Sequence, residues 1–136
     1  MEKSIIIKNN IEEITQLSAF IESIAQELEL SGELVFMLNL AIEEAVANII
    51  QYAYPQEETH LIYLSAKKMD NQLIFMLTDD GKEFDPTAPK EIDITLSAEE
   101  RPIGGLGIFL IQQIMNKVEY QRIDGKNILT LSKHLE

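Results

Sequence analysis

The sequence predicts an α+β two-layer sandwich, in which a mixed, mainly antiparallel sheet carries three helices on one face. Its length of 136 residues is that of one ordinary domain, and 46% of those residues are hydrophobic, which is enough to form a core. Short segments rich in aliphatic and aromatic residues alternate with longer segments of helical period, in the order β-α-α-β-β-α-β-β. We therefore expect residues 1–136 to fold as a single domain.

One strand and one helix are predicted first. The strand is expected over residues 4–8, and Asn9 or Asn10 can cap the next helix because an Asn side chain accepts a hydrogen bond from a free N–H group of the first turn. Apolar residues then recur with a period of 3.6 residues, as they do on one face of a helix. These residues are Ile11, Ile14, Leu17, Ile21, Ile24 and Leu28.

A second helix, predicted over residues 33–52, carries the pair of residues that says most about function. It ends before Pro55, because proline disfavours helical backbone in the preceding residue. Glu44 and Asn48 are four residues apart and therefore share one face of an otherwise apolar segment. A Glu can act as a general base, and an Asn oxygen suits Mg²⁺. The pair favours a metal ion, a ligand or a reaction, and the alternative is a partly exposed helix with two ordinary polar residues.

Two hairpins are predicted in the second half of the chain. Residues 61–66 and 73–78 are rich in aromatic and aliphatic side chains and form the first. Residues 118–123 and 127–133 form the second, and they flank Asp124-Gly125, a dipeptide that favours a tight hairpin turn.

Asp79 and Gly81 lie at the end of the strand predicted over residues 73–78. An aspartate held there accepts a hydrogen bond from an exocyclic amine such as that of adenine, and a glycine lets a ligand approach the backbone. The alternative is an ordinary surface turn, since Asp and Gly are common turn residues.

Residues 82–105 contain prolines and many charges without clear periodicity, and a loop of this length is usually a functional lid or disordered. A third helix follows, and its first residues are rich in glycine: Gly104, Gly105, Leu106 and Gly107. Free N–H groups and the positive dipole end at a helix N-terminus form an anion site. The alternative is a flexible loop before an amphipathic helix.

Composition excludes several classes of function. The net charge of −12 argues against a protein that binds nucleic acid or a membrane surface. The absence of cysteine removes disulfides and thiolate chemistry and fits a cytoplasmic protein. The glycines match neither a P-loop nor the G-x-G-x-x-G fingerprint, so a triphosphate site here requires a different ATP fold.

Taken in order, the three polar segments closely resemble the N, G1 and G2 boxes of the GHKL (Bergerat-fold) ATPases, in the branch of anti-sigma factor serine/threonine kinases. The resemblance covers nearly the whole chain, and three boxes in order are far more specific than one. The strings that carry it are Glu44-Ala45-Val46-Ala47-Asn48, Tyr52-Ala53-Tyr54-Pro55, Asp79-x-Gly81-x-x-Phe84-Asp85-Pro86, Gly105-Leu106-Gly107-Ile108 and Asn127-Ile128-Leu129-Thr130-Leu131.

The resemblance implies ATP and Mg²⁺ as cofactors and a role for each polar residue of the first two segments. Asn48 would coordinate Mg²⁺ bridging the phosphates, and Glu44 would be the catalytic base. Asp79 would read the adenine amine, with Gly81 beside it.

At the phosphate end, the resemblance implies that Gly105 and Gly107, with the neighbouring amides of Gly104 and Leu106, hold the phosphates. A lid over about residues 86–103 would cover them. Arg101 lies in that lid, where it would meet phosphate or a partner.

The activity implied by the resemblance is transfer of the ATP γ-phosphate to a serine of a STAS-domain anti-sigma factor antagonist. A sigma factor as a second partner and a homodimer are implied in the same way. Two alternatives remain open: an ATP-gated regulatory binding module without kinase activity, and a detached ATP-binding domain of a histidine kinase.

Two residues depart from the family pattern. Tyr52 stands where many relatives have a histidine, and Glu83 stands where the wider superfamily has the second glycine of D-x-G-x-G. His60 and His134 have no second ligand at metal spacing, and we expect both to be isolated surface residues.

Overall fold

The computed structural model describes residues 1–54, 58–87 and 104–135, and the elements appear in the predicted order. The strands are β1 (Glu2–Lys8), β2 (Leu61–Met69), β3 (Gln72–Asp79), β4 (Lys117–Ile123) and β5 (Lys126–His134). The helices are α1 (Thr15–Leu28), α2 (Gly32–Tyr52) and α3 (Gly104–Ile114), and a 3₁₀ turn (Ile11–Ile14) precedes α1.

The sheet has the strand order β1-β2-β3-β5-β4, and all four pairings in it are antiparallel. The prediction of a mixed sheet was wrong in this detail. The connection through α3 makes β3 and β4 run in the same direction, but β5 lies between them and pairs antiparallel with each. Within the described strands, the crossover therefore produces no parallel neighbours.

The helices cover one face of the sheet, as predicted. Side chains alternate across each strand, so that in β3 the apolar Leu73, Phe75 and Leu77 are buried while Met76 is exposed. The buried strand residues and the apolar faces of α1, α2 and α3 form one core cluster. Among the described residues, no helix is long and apolar enough to cross a bilayer.

Local polar contacts explain where the first two helices begin. The side chain of Asn10 accepts a hydrogen bond from Glu12 N at 3.0 Å and caps the 3₁₀ turn, so the first helix does not start as the single α-helix that was predicted. Ser31 caps α2 by accepting from Leu34 N at 3.2 Å. At its other end, α2 lies beside the end of β3, because Lys82 N donates to the backbone oxygen of Ala53 at 2.9 Å.

The last hairpin closes at Asp124-Gly125, as the sequence predicts. Both residues have positive φ, 50° and 76°, which is the backbone of a two-residue turn that suits the twist of the strands. This tight turn fixes the register between β4 and β5, in which Arg122 lies opposite Asn127. On its other side β5 pairs with β3, and there Asp79 lies opposite Asn127.

Candidate functional site

Helix α2 carries Glu44 and Asn48 one turn apart. Asn48 is only 6% exposed, and Glu44 is half-buried. Their neighbours Ala45, Val46 and Ile49 belong to the apolar core. The two polar side chains are therefore set into an otherwise apolar helix, as the sequence indicates.

Asp79, the last residue of β3, is 2% exposed. Its Oδ1 accepts hydrogen bonds from the backbone N–H of Gly81 and from Nδ2 of Asn127, both at 2.9 Å. Burial raises the pKa of this carboxyl above its ordinary value, although both hydrogen bonds oppose the shift because they stabilise the charged form. The site thus holds a deeply buried acid with one oxygen already committed to the protein.

A small cavity brings these two regions together. Asn48 from α2 and Asp79 from β3 both line it, with Asn127 from β5. The rest of its wall is mostly apolar: Ala45, Ile49, Phe84, Pro86, Ile111, Tyr120 and Leu129. Its volume of about 10 Å³ is room for about one water molecule. The convergence of three buried polar side chains, and not the size of the cavity, therefore marks this position as a candidate site.

The start of α3 lies directly against the pair on α2. A Cβ added at Gly107 would come within 2.9 Å of Glu44 Oε2 and 3.3 Å of Asn48 Nδ2. Gly107 therefore borders both side chains, and a larger residue there would displace the carboxylate of Glu44. Gly104, Gly105 and Leu106 form the first turn of the same helix, as predicted.

Gly81 packs closely against Ala53, the residue that follows α2. A Cβ at this residue would lie 2.4 Å from the backbone oxygen of Ala53 and 2.8 Å from its Cβ. The N–H of Lys82 donates to the same Ala53 oxygen at 2.9 Å. Close packing of the chain after β3 against the end of α2 is thus sufficient to require glycine here.

Asn127 is a site residue that the sequence reasoning missed as such. It is 4% exposed and contacts both Asp79 and the loop after β3. A signal was present, because Asn127 alternates with the buried Leu129 and Leu131 along β5 and should therefore face inward.

A second missed group surrounds Asp80. The hydroxyl of Tyr54 donates to Asp80 Oδ1 at 2.8 Å, and His60 Nδ1 lies 3.4 Å from the same oxygen. The rings of Tyr54 and His60 stack, with centroids 4.5 Å apart. The pKa of Asp80 is lowered mainly by the hydrogen bond from Tyr54 and, to a smaller extent, by the nearby His60. His60 is consequently half-buried and partnered, so the expectation of an isolated surface histidine was wrong for it.

The two departures from the family pattern are accommodated. Tyr52 stacks on Phe84 with ring centroids 5.2 Å apart, and Glu83 is exposed. His134 is exposed, as predicted. Arg101 and the predicted lid beyond Thr87 lie outside the described residues.

The donor set fits a nucleotide that carries Mg²⁺. Asn48 supplies a carboxamide oxygen, Glu44 supplies a carboxylate, and both border the N-terminal turn of α3, where N–H groups favour anions. The described residues contain no group of three His, Cys, Asp or Glu side chains that could hold a metal ion by themselves. Mg²⁺ usually takes one or two protein ligands and completes its shell with water and phosphate oxygens.

Comparison with known proteins identifies similar chains. Residues 7–133 match the family described as the histidine kinase-like ATPase domain. The serine/threonine-protein kinase BtrW of Bordetella bronchiseptica is 31% identical over 115 residues, which cover 85% of this chain and 81% of that protein. The serine-protein kinase RsbW of Halalkalibacterium halodurans is 30% identical over 120 residues, which cover 85% of this chain and 72% of that protein.

Solved structures share the fold. The RsbU and RsbW domains of a Mycobacterium tuberculosis protein match with a TM-score of 0.71 at 14% identity, over 99% of this chain and 32% of that one. The mycobacterial sensor histidine kinase MprB matches with a TM-score of 0.52 at 14% identity, over 98% of this chain and 97% of that one. The predicted fold class is confirmed.

The packing of Gly81 against Ala53 predicts the effect of adding one methyl group. Gly81→Ala should lower the free energy of unfolding by about 1–3 kcal/mol, because the backbone of α2 must move to make room. Gly32→Ala is the matched control, since nothing lies within 4 Å of a Cβ there, and its stability should not fall. Urea unfolding measures both, and equal stabilities for the two variants would contradict the packing argument.

The raised pKa of Asp79 predicts a stability that depends on pH. The folded protein binds this proton more tightly than the unfolded chain, so stability falls as pH rises from the ordinary pKa through the raised one. Asp79→Asn keeps an oxygen for Gly81 and Asn127 and removes the buried charge. We expect it to be more stable than wild type at pH 7 by on the order of 1 kcal/mol.

Urea unfolding at a series of pH values tests this. The difference in stability between Asp79→Asn and wild type should shrink as pH falls through the raised pKa. A difference that stays constant across that range would show that the charge of Asp79 is not its cause.

Proposed function

This chain belongs to the histidine kinase-like ATPase domain family, and on that premise we propose that it is an anti-sigma-factor-type protein serine/threonine kinase. It transfers the γ-phosphate of ATP to a serine of a STAS-domain anti-sigma factor antagonist. Support comes from the names of its relatives, a serine/threonine-protein kinase and a serine-protein kinase that are 31% and 30% identical to it.

The position of Glu44 carries the proposal. Its carboxylate shares one helix face with Asn48 and borders the glycine-rich first turn of α3 at Gly107. A site that only binds nucleotide does not need a carboxylate next to an anion-binding turn, where it would repel phosphate. A kinase needs one there, because the attacking hydroxyl must lose its proton.

In the proposed reaction, Glu44 accepts the proton of the partner's serine hydroxyl. The serine oxygen forms its bond to the γ-phosphorus as the bond from that phosphorus to the β,γ-bridging oxygen breaks, and ADP leaves. Catalysis then rests mainly on positioning and on charge stabilisation. The backbone N–H groups of the first turn of α3, from Gly104 to Gly107, hold the phosphates.

The other two polar residues bind the ends of the nucleotide. Asn48 is the protein ligand of Mg²⁺, which neutralises phosphate charge when it is bound. Asp79 accepts a hydrogen bond from the 6-amine of adenine. Arg101 is proposed to meet phosphate or partner from the lid.

We also propose that the protein binds a sigma factor as a second partner and that it forms a homodimer. The 136 residues form one domain, and the location is cytoplasmic.

The proposed base predicts a selective loss of phosphotransfer. Glu44→Gln should lower the rate of transfer from ATP to a STAS-domain partner by about 10²-fold or more, since general base catalysis contributes on this scale. Glu43→Gln is the matched control: Glu43 is the adjacent, half-buried residue, lies 3.4 Å from Ser18 of α1, and should keep its rate. Transfer of ³²P in single-turnover assays measures both.

The outcomes separate the two candidate functions. Transfer that survives Glu44→Gln contradicts the assigned base. Folded wild type that binds ATP and partner but transfers no phosphate is an ATP-gated binding module, and the kinase proposal is then wrong.

A further inference from the structure

We propose that Asn127 is a positioning residue, which fixes the carboxylate of Asp79 so that its other oxygen recognises the exocyclic amine of a purine base. This inference rests on the proposed function, in which Asp79 contacts adenine. It adds a residue from β5 to a site that is otherwise built from α2, the end of β3 and α3.

The two carboxylate oxygens of Asp79 differ in their hydrogen-bond partners. Oδ1 accepts from Asn127 Nδ2 and from Gly81 N, each at 2.9 Å. The hydrogen bonds that the described residues make to this carboxylate all go to Oδ1. Oδ2 is thus the oxygen that can accept from a ligand, and the carboxylate cannot rotate without losing two bonds.

Both the nitrogen and the oxygen of the Asn127 amide are held by hydrogen bonds. Nδ2 also donates to the backbone oxygen of Lys82 at 2.8 Å. Oδ1 accepts from Phe84 N at 3.2 Å, from Arg122 Nη1 at 3.0 Å and from the hydroxyl of Tyr120. A flipped amide would set its oxygen against two acceptors and its NH₂ group against three donors. The donor that faces Asp79 is therefore fixed by the surrounding network.

Arg122 of β4 anchors this hydrogen-bond network. Arg122 Nη1 donates to the backbone oxygen of Gly81 at 2.8 Å as well as to Asn127. The loop after β3 is therefore tied to the last hairpin on one side, while Gly81 packs on α2 at the other. Asn127 lies between them, buried, and lines the same cavity as Asn48.

This arrangement favours a base with an amine. A fixed carboxylate oxygen accepts from the 6-amine of adenine but repels the 6-carbonyl of guanine. A purine without the amine leaves that oxygen buried and unpaired, which costs affinity. Asn127 thus acts on the choice of base, whereas a merely structural role would weaken binding of every nucleotide by the same factor.

The experiment compares ATP with purine riboside triphosphate, which lacks the 6-amine, by calorimetric titration. Wild type should bind ATP about tenfold or more tightly, as expected for one hydrogen bond to a charged group. Asn127→Ala and Asn127→Leu both remove the donor to Asp79, and Asn127→Leu keeps about the size of the side chain. In both variants the preference for ATP should narrow to about threefold or less, because Asp79 is no longer held.

Asn116→Ala is the matched control. Asn116 lies just before the other end of β4, where its side chain accepts from His134 N at 2.7 Å. It should keep the wild-type preference. In an Asp79→Asn background, Asn127→Ala should leave the preference unchanged, because the two residues act through one interaction.

The outcomes are distinct. Equal loss of affinity for both nucleotides, with the preference unchanged, overturns the positioning role of Asn127. Failure of both Asn127 variants to fold, as judged by urea unfolding, assigns the residue to the stability of the hairpin and also overturns it. Folded wild type that binds neither nucleotide contradicts the proposed function itself, and wild type that binds both equally contradicts the contact between Asp79 and the amine.

Discussion

The geometry of the candidate site depends on the contact between Gly81 and Ala53. The backbone after β3 packs so closely on the C-terminal end of α2 that a single methyl group would meet the Ala53 oxygen at 2.4 Å, and the N–H of Lys82 donates to that oxygen. Asn48 precedes this contact by little more than one turn of α2, and Asp79 precedes it by two residues. One close approach between backbones thus brings the carboxamide and the carboxylate to the same cavity.

The polar groups of the cavity are expensive to bury, and the fold offsets that cost unevenly. Asp79 and Asn127 satisfy one another, and Asn127 is satisfied further by β4 and by the loop after β3. The pKa of Asp79 is nevertheless raised, since burial outweighs those bonds. A buried carboxylate that lowers the stability of the fold is typical of a binding site, where the side chain serves the ligand.

Much of the fold could be predicted from the sequence because the spacing of apolar residues indicates which side chains are buried. The helix predicted over residues 33–52 differs from α2 (Gly32–Tyr52) by one residue, and Asp124-Gly125 closes the last hairpin as expected. Strand order was harder, since nothing local shows that β5 inserts between β3 and β4. Alternation along β5 predicts that Asn127 faces inward, but its contact with Asp79, 48 residues away, follows from the strand register and not from a local pattern.

The most direct test of a nucleotide site at this cavity is calorimetric titration of the folded protein with ATP, with and without Mg²⁺. We expect saturable binding in the micromolar range that is stronger with Mg²⁺, and loss of the Mg²⁺ effect in a folded Asn48→Ala variant. No binding to folded wild type, or a Mg²⁺ effect that survives in Asn48→Ala, would contradict a nucleotide site at this cavity.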